Sequence, residues 1–236
     1  MAAEALSNFI GGEIRAVTFD VGGTLLEPWP SVGHVYAEVA ARHGLTTFSA
    51  VQLNARFKQA WRTCKSFGYT RRDWEELVND VFGPDSKPSS GIFFSELYDR
   101  FAQPDVWHLF EDVLPTLDAL ASREIKLAVI SNWDERLRGL LGTLKLDRYF
   151  EAFAISCEVG FPKPSPVIFE HAATKLGLPA GSILHIGDSL EMDIEGATAA
   201  GFQALQIHRG AGNPFDTGIH SLAELPSEIE KRQAKD

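Results

Sequence analysis

Four polar positions have residue types and a spacing that could transfer a phosphoryl group. Asp20, Ser131 and Asp188 stand at the ends of short apolar runs. Lys163 lies between two prolines in the segment "FPKPSP". A carboxylate such as Asp20 can attack phosphorus and form an aspartyl-phosphate, which divides one difficult displacement into two easier ones. Because that attack brings two anions together, the site needs positive charge, and Lys163 can supply one.

A magnesium ion could supply further positive charge. Mg²⁺ in phosphate-handling sites is usually held by one or two carboxylates, with phosphate oxygens and water completing its shell. Asp20 and Asp188 are the obvious ligands, and Asp193 follows Asp188 five residues later. These acidic residues therefore predict a magnesium site.

Small and polar residues beside these acids are candidates for binding the phosphate itself. The amides of Gly22 and Gly23 can approach a phosphate closely because no side chain blocks them. Ser131, with the backbone N–H groups of the helix that starts after it, can hold the remaining phosphate oxygens. The candidate substrate-binding residues are Gly23, Thr24, Ser131 and Asn132.

Each of these features also has an ordinary structural explanation. Asp20 could simply end a strand, Ser131 could lead into a helix, and Lys163 could be a solvated loop lysine. The segment "DSLE" (188–191) could be a helical capping box, and Asp193 could be a first-turn acid favoured by the helix dipole. A joint site is favoured because the features follow one another in one order around one expected pocket.

Five short apolar runs predict the strands that would position these residues. Most are continuous rather than alternating, which is typical of strands buried on both faces. Helical patterns lie between them at 134–144 and 166–177, and the second has Ser165 and Pro166 as its starting signal. This alternation predicts a parallel α/β sheet with helices on both sides. The predicted strands are 14–20, 126–131, 152–156, 182–188 and 202–207.

A helical insertion interrupts this rhythm after the first strand. Residues 28–105 contain helix-like segments and no convincing buried strand. An insertion at this point hangs over the carboxyl ends of the strands, where open α/β sheets bind ligands. We therefore predict a core domain of residues 1–27 and 106–236 with a helical cap of residues 28–105. The aromatic residues Trp29, Trp61, Tyr69 and Trp74 could line a pocket there or form the core of the cap.

Composition and charge exclude several classes of function. The 236 residues are 44% hydrophobic and 23% charged, with 32 acids against 22 bases and a net charge of −10. Such a chain is a poor candidate for nonspecific binding to nucleic acid or an anionic membrane. No run approaches the roughly 20 apolar residues of a membrane span. The amino terminus lacks the marks of a signal peptide, and Cys64 and Cys157 are far apart. We expect a cytoplasmic protein whose cysteines are small core residues.

Four segments resemble the haloacid dehalogenase (HAD) superfamily. The segments "VTFDVGGTLL", "VISNWD", "FPKPSPVIF" and "ILHIGDSLEMDIEGATAAG" match its four motifs in order. The helical insertion, which lies between the first two motifs, resembles the cap of subfamily I. The segments "VYAEVA" and "AVISN" are most similar to the haloacid dehalogenase-like hydrolase domain-containing group. The resemblance implies a Rossmann-like core with an all-helical cap, Mg²⁺, and usually phosphatase activity on a small phosphorylated metabolite.

The resemblance also implies a role for each residue by its position. Asp20 becomes the nucleophile, Ser131 the phosphate binder and Lys163 the residue that stabilises charge. Asp188 becomes a metal ligand with Asp193 beside it. The carbonyl oxygen of Gly22, the second residue after Asp20, becomes a further metal contact.

That second residue, Gly22, departs from the HAD pattern. HAD phosphatases usually carry an aspartate there, which protonates the leaving group and later activates water. Such assistance is typically worth about 10²–10⁴ in rate, or about 3–5 kcal/mol of barrier. We therefore expect a slow phosphatase that depends on a good leaving group. Alternatively, a side chain near the cap hinge, such as Glu27 or His34, compensates.

Other functions stay open at this point. The protein could be a catalytically weak phosphate-binding or regulatory protein that lost its acid/base. It could be a 2-haloacid dehalogenase, although those enzymes typically carry a bulky aromatic residue at the position of Gly22 and need no Mg²⁺. The segment "DVGGT" also resembles a phosphate loop of the sugar-kinase and actin-like ATPases, but the chain shows no second glycine-rich phosphate loop. The natural substrate and the choice between monomer and homodimer are not readable.

Overall fold

A computed structural model describes residues 13–64, 67–83, 91–210 and 217–234 of the chain. Its centre is a five-stranded parallel sheet in the order β5-β4-β1-β6-β7, and β2 and β3 form a separate ribbon. The strands are β1 (Ala16–Phe19), β2 (Leu26–Pro28), β3 (Trp107–Leu109), β4 (Lys126–Ser131), β5 (Ala152–Ile155), β6 (Ile183–Gly187) and β7 (Gln203–Gln206). The predicted parallel α/β fold is confirmed, and each predicted strand is found within two residues of its expected ends.

Helices cover both faces of this sheet because its strands are apolar on both sides. Helices α5, α6 and α10 pack on one face, and α8 and α9 pack on the other. The helices are α1 (Val32–Arg42), α2 (Ala50–Thr63), α3 (Arg71–Phe82), α4 (Gly91–Arg100), α5 (Val113–Ala121), α6 (Arg136–Thr143), α7 (Ser156–Val159), α8 (Pro166–Leu176), α9 (Gly196–Ala199) and α10 (Leu225–Gln233). A π-helical turn over Leu190–Glu195 precedes α9.

The register of the central strands brings the functional residues to one edge. Phe19 of β1 is level with Val129 of β4 and Ile186 of β6. Asp20 follows Phe19 directly, and the residues after β4 and β6 leave the sheet at the same edge. Parallel strands all point the same way, so their carboxyl ends form a single rim. The site is built on that rim.

Helices α1 to α4 pack around an apolar cluster of their own. The ring of Tyr36 stacks on Phe82 at 6.1 Å between centroids, and Phe93 meets Phe82 edge-on at 5.1 Å. Aromatic side chains bury large apolar areas and dominate the stability of such a cluster. The chain therefore contains a helical insert with its own core. The division into a cap of residues 28–105 and a core domain stays a prediction.

A two-stranded antiparallel ribbon connects the insert to the sheet. Leu26 pairs with Leu109 and Pro28 pairs with Trp107, at the points where the chain leaves the core and returns to it. The sequence did not predict this ribbon, because strands of three residues are too short to show a period of two. The ribbon holds both ends of the insert side by side.

Several expectations concern residues outside the sheet. The predicted absence of a signal peptide falls on residues 1–12, which lie outside the described residues. Cys64 is exposed at the end of α2, so its assignment to the core was wrong. Cys157 is half-buried against the core, and burial raises the pKa of its thiol to about 11. Among the described helices, none has both the length and the apolarity that a membrane span requires.

Candidate active site

The predicted site residues meet at the carboxyl edge of the sheet, beneath the helical insert. All of them except Thr24 border a cavity of about 530 Å³. Asp20 follows β1, Ser131 ends β4, and Asp188 follows β6, so three adjacent strands each contribute one polar side chain. The predicted residues that line the cavity are Asp20, Gly22, Gly23, Ser131, Asn132, Lys163, Asp188 and Asp193.

Lys163 forms the electrostatic centre of the site. Its Nζ donates to Oδ1 of Asp20 at 2.7 Å and to Oδ1 of Asp193 at 2.5 Å, and all three side chains are almost wholly buried. Burial alone would lower the pKa of Lys163, but the two carboxylates raise it above its usual value. The lysine is therefore charged throughout the physiological range. The solvated loop lysine considered from sequence is excluded.

Asp20 is positioned by two hydrogen bonds to the same oxygen. Ser131 Oγ donates to Asp20 Oδ1 at 2.9 Å, beside the bond from Lys163. Burial raises the pKa of Asp20, Lys163 opposes that rise, and Asp193 adds to it. Among the described residues, no side chain hydrogen-bonds to the other oxygen of Asp20, and Asp20 lines the cavity.

Asp193 is locked in place by a buried hydrogen-bond chain. Its Oδ1 lies 3.1 Å from Nε2 of His185, whose Nδ1 lies 2.9 Å from the hydroxyl of Thr18. Its Oδ2 accepts the N–H of Ser189 at 3.0 Å. Burial would raise the pKa of Asp193, but Lys163 and His185 hold it well below its usual range. His185 and Thr18 were not predicted as part of the site, and their only signal was a polar side chain inside a buried strand.

Asp188 supplies a negative charge that has no cation beside it. Among the residues that the structure describes, no lysine, arginine or histidine forms an ion pair with its carboxylate. Asp188 is exposed on the cavity wall, and partial desolvation there raises its pKa to about 7, with the charges of Asp20 and Asp193 contributing to that rise. It does not serve as a helix cap, because Ser189 caps the following turn. The capping-box explanation of this segment is therefore wrong.

The three acids fit a divalent cation. Oxygens of Asp20, Asp188 and Asp193 lie within 4.8 Å of one another. Three carboxylates share only one lysine, so the group carries an excess negative charge that a bound cation would offset. Oxygen donors are also the ligands that Mg²⁺ prefers. The donor set therefore matches a hard divalent ion in both charge and chemistry.

Gly23 allows Asp188 to approach the loop after β1. Its φ of +79° lies in the left-handed region, and a Cβ placed on it would come within 2.6 Å of Asp188 Oδ2. Gly23 N–H donates to the carbonyl of Leu26 at 2.7 Å. That bond uses the amide expected to bind phosphate, so Gly23 contributes space rather than a donor. Glycine is required here for two independent reasons.

Thr24 and Asn132 have structural roles that the sequence did not show. Thr24 is fully buried and does not line the cavity, and its carbonyl accepts two hydrogen bonds from Arg209, at 2.7 and 3.2 Å. Asn132 Oδ1 accepts the N–H of Lys163 at 2.6 Å, and its Nδ2 donates to the carbonyl of Lys163 at 3.0 Å. Arg209 thus anchors the loop after β1, and Asn132 fixes the backbone of Lys163.

The space beside Gly22 is closed on one side by Trp133. A Cβ at position 22 would lie 3.4 Å from the Trp133 ring, which in turn lies 5.1 Å from the ring of Trp107. Glu27 and His34, the suggested substitutes for the missing acid, do not line the cavity. His34 instead hydrogen-bonds with Ser31 at the start of α1. The hinge residues therefore do not replace the absent carboxylate.

Tyr69 brings a polar group from the helical insert to the site. Tyr69 lines the cavity with a backbone φ of +59°, and its phenol lies near the side chain of Asn132. Burial raises the pKa of its phenol. Trp61 and Trp74 also line the cavity, whereas Trp29 is exposed and does not. Of the four aromatic residues that could have lined a pocket, Trp61, Tyr69 and Trp74 do so and Trp29 does not.

Sequence and structure comparisons identify the family. Residues 14–201 match the family model described as haloacid dehalogenase-like hydrolase. The "Haloacid dehalogenase-like hydrolase domain-containing protein 3" of Bos taurus is 34% identical over 219 residues, which cover 88% of this chain and 86% of the relative. The "Glyceraldehyde 3-phosphate phosphatase" of Methanopyrus kandleri is 28% identical over 213 residues and covers 84% of this chain and 85% of its own length.

A solved structure has the same architecture. The HAD phosphatase from Thermococcus onnurineus superposes with a TM-score of 0.69 at 25% identity, covering 92% of this chain and 98% of its own. The fold and the acid–lysine site thus define a hydrolase with a phosphatase-like architecture. The chain belongs to the haloacid dehalogenase-like hydrolase family.

Proposed function

We propose that this protein is a Mg²⁺-dependent phosphatase that forms an aspartyl-phosphate on Asp20. The observation that carries the proposal is the geometry of Asp20, which lines the cavity and is held by Lys163 and Ser131 through one oxygen. The unpaired Asp188 beside it supports a cation site. The similarity to a phosphatase of glyceraldehyde 3-phosphate supports a small phosphorylated substrate.

The proposed reaction has two displacements at phosphorus. The free oxygen of Asp20 attacks the phosphomonoester, the P–O bond to the substrate alcohol breaks, and the alcohol oxygen leaves with the bonding electrons. Water then attacks the phosphorus of the aspartyl-phosphate, which releases inorganic phosphate and regenerates Asp20. Lys163 and Ser131 stabilise the charge that develops on the phosphoryl oxygens. No carboxylate at position 22 protonates the leaving oxygen.

The proposed roles of the other residues follow from their positions. Asp20 and Asp188 would hold Mg²⁺ with the Gly22 carbonyl, and Asp193 would complete the acidic group. Bound Mg²⁺ would neutralise phosphate charge and orient the phosphoryl group. Residues 28–105 would act as the cap over this site. A cytoplasmic location stays a prediction, as does the choice between monomer and homodimer.

Removing the metal is expected to abolish most of the activity. Chelation with EDTA should lower the hydrolysis of p-nitrophenyl phosphate by at least about 10²-fold, because metal ions supply several kcal/mol of charge stabilisation in such reactions. Mg²⁺ should restore the rate. Mg²⁺ should also raise the thermal midpoint of the wild-type protein more than that of Asp188→Asn, since ligand binding stabilises the folded state. Full activity in EDTA would contradict the metal assignment.

The same assay separates the competing functions. A 2-haloacid dehalogenase would release halide from 2-chloropropionate without Mg²⁺, whereas a phosphatase would release phosphate from the ester with Mg²⁺. A phosphate-binding protein without catalysis would release neither, and would still bind inorganic phosphate in calorimetry. Phosphate release with Mg²⁺ and no halide release is the expected result.

Restoring an acid at position 22 should help poor leaving groups selectively. Gly22→Asp is expected to raise kcat/KM for an alkyl phosphate at least about tenfold, toward the lower end of what general acid catalysis provides. The Trp133 ring beside this position limits the gain. The gain on p-nitrophenyl phosphate should stay below about threefold, because its leaving group needs little protonation. An equal effect on both esters would show that position 22 does not act on the leaving oxygen.

A further inference from the structure

Much of the cavity wall is aromatic. Aromatic side chains reach it from both the insert and the core, and they include Phe57, Trp61, Tyr69, Trp74, Trp107 and Trp133. Trp61 lies nearly parallel to Phe57 and to Trp74, at 6.1 and 6.0 Å between ring centroids. Aromatic faces favour flat apolar groups through stacking and edge-to-face contacts. The shape and chemistry of this wall therefore suit a ring.

The cation on that wall is already neutralised. Arg136 donates from Nε and Nη2 to the two oxygens of Asp134, at 2.8 and 2.5 Å, and Asp134 is fully buried. The guanidinium also lies 3.5 Å over the ring of Tyr98 and donates to its backbone carbonyl. Among the described residues that line the cavity, Lys163 is the other cation, and two acids hold it. A second anionic group on the substrate would meet no unbalanced positive charge.

The missing acid points to the same kind of substrate. A phenol has a pKa of about 10, whereas an alkyl alcohol resembles water, with a pKa of about 16. A phenolate can therefore leave without being protonated, and an alkoxide leaves far more slowly. Glycine at position 22 and an aromatic wall are independent features, and both select an aryl oxygen as the leaving group.

We propose that the substrates of this protein are aryl phosphomonoesters, whose ring occupies the aromatic wall while the phosphate faces Asp20. This inference rests on the phosphatase function proposed above and names its substrate class. The cavity of about 530 Å³ accommodates a substituted ring, since pockets for drug-sized ligands span about 300–1,000 Å³. A triose phosphate would leave most of that volume unfilled and the aromatic faces uncovered.

Three esters of similar size test the proposal by separating the ring from the leaving group. Phenyl phosphate, cyclohexyl phosphate and glycerol 3-phosphate are compared at saturating Mg²⁺, with Asp20→Asn as the background. Phenyl phosphate should exceed cyclohexyl phosphate at least about 100-fold in kcat/KM, because the two esters differ mainly in leaving-group pKa. Cyclohexyl phosphate should have a KM at least about tenfold below that of glycerol 3-phosphate, because it buries apolar surface.

A pair of tryptophan variants tests the wall itself. Trp61→Ala removes a partly exposed lining residue and should raise the KM for phenyl phosphate about tenfold, with the KM for glycerol 3-phosphate within twofold. Trp29→Ala is the matched control, since Trp29 is exposed outside the cavity. It should leave both constants within twofold. Circular dichroism and thermal unfolding verify that both variants are folded.

The outcomes separate this inference from the proposed function. If glycerol 3-phosphate or cyclohexyl phosphate is hydrolysed as efficiently as phenyl phosphate, the aryl assignment is wrong while the phosphatase function stands. Such a result would also mean that another group protonates the leaving oxygen, and Tyr69 would be the first to replace by phenylalanine. If no ester is hydrolysed above the Asp20→Asn background, both proposals fail together.

Discussion

Replacing Asp20 with asparagine is expected to lower kcat/KM by at least about 10³-fold, because removal of a covalent nucleophile eliminates the main reaction path. Asparagine keeps the shape of the side chain and can still accept the bonds from Ser131 and Lys163. The loss should therefore appear in turnover and not in folding. Steady-state hydrolysis of p-nitrophenyl phosphate with Mg²⁺ measures it directly.

A covalent intermediate gives a second measurement of the same assignment. Acid quenching of the wild-type protein during turnover, followed by mass spectrometry, should find the phosphoryl group on the peptide that contains Asp20 and nowhere on Asp20→Asn. Asp99→Asn is a suitable control, because the side chain of Asp99 is 71% exposed and lies outside the cavity. It should keep activity within twofold. Turnover by Asp20→Asn close to the wild-type rate would show that another group attacks phosphorus.

Replacing Lys163 with methionine is expected to damage both stability and rate. Two buried carboxylates would lose their shared cation, and breaking a buried ion pair typically costs about 3–5 kcal/mol of the free energy of unfolding. The rate on p-nitrophenyl phosphate should fall by about 10²–10³, since a donor aimed at the developing charge is lost. Urea unfolding of the metal-free protein measures the first effect. Lys126→Met, which removes an exposed pair with Glu151, should cost less than about 1 kcal/mol.

The pH dependence of that stability loss has a definite sign. Without Lys163, the main opposition to burial is lost at Asp20, and its pKa in the folded protein rises further above that of an unfolded aspartate, about 3.9. The pKa of Asp193 also rises, although His185 still lowers it. Protonation then favours the folded state, and that benefit disappears as the pH rises through the folded pKa values. The deficit of Lys163→Met relative to wild type should be larger at pH 8 than at pH 5. A deficit that grows toward low pH would contradict the assigned charges.

The sequence could predict the site residues that lie at the ends of strands. Asp20, Ser131 and Asp188 come from adjacent parallel strands, and the parallel register leaves them one edge to share. Lys163 could be placed because its segment follows β5 and lies in a recognisable motif. In each case, local pattern and topology agree, which is when sequence reasoning is strongest.

The parts that could not be predicted depend on tertiary contacts. The sequence does not show that Arg209 donates a hydrogen bond to the carbonyl of Thr24, because 185 positions separate the two residues. It also does not show that Tyr69 of the insert lies near Asn132 of the core, or that Trp133 lies beside Gly22. These contacts follow from how the insert and the loops pack, and helical or strand periodicity carries no information about that packing.

Gly22 and Gly23, in the loop after Asp20, differ in how well they would tolerate a side chain. Any side chain at Gly23 would be strained by its left-handed backbone, and its Cβ would displace the carboxylate of Asp188. A side chain at Gly22 would only touch the edge of Trp133 and needs no positive φ. A substitution at Gly23 would therefore strain the backbone, whereas a substitution at Gly22 would not. The active site is thus one accepted substitution away from an acid-bearing form, and its lineage could gain or lose broad substrate range without rebuilding the fold.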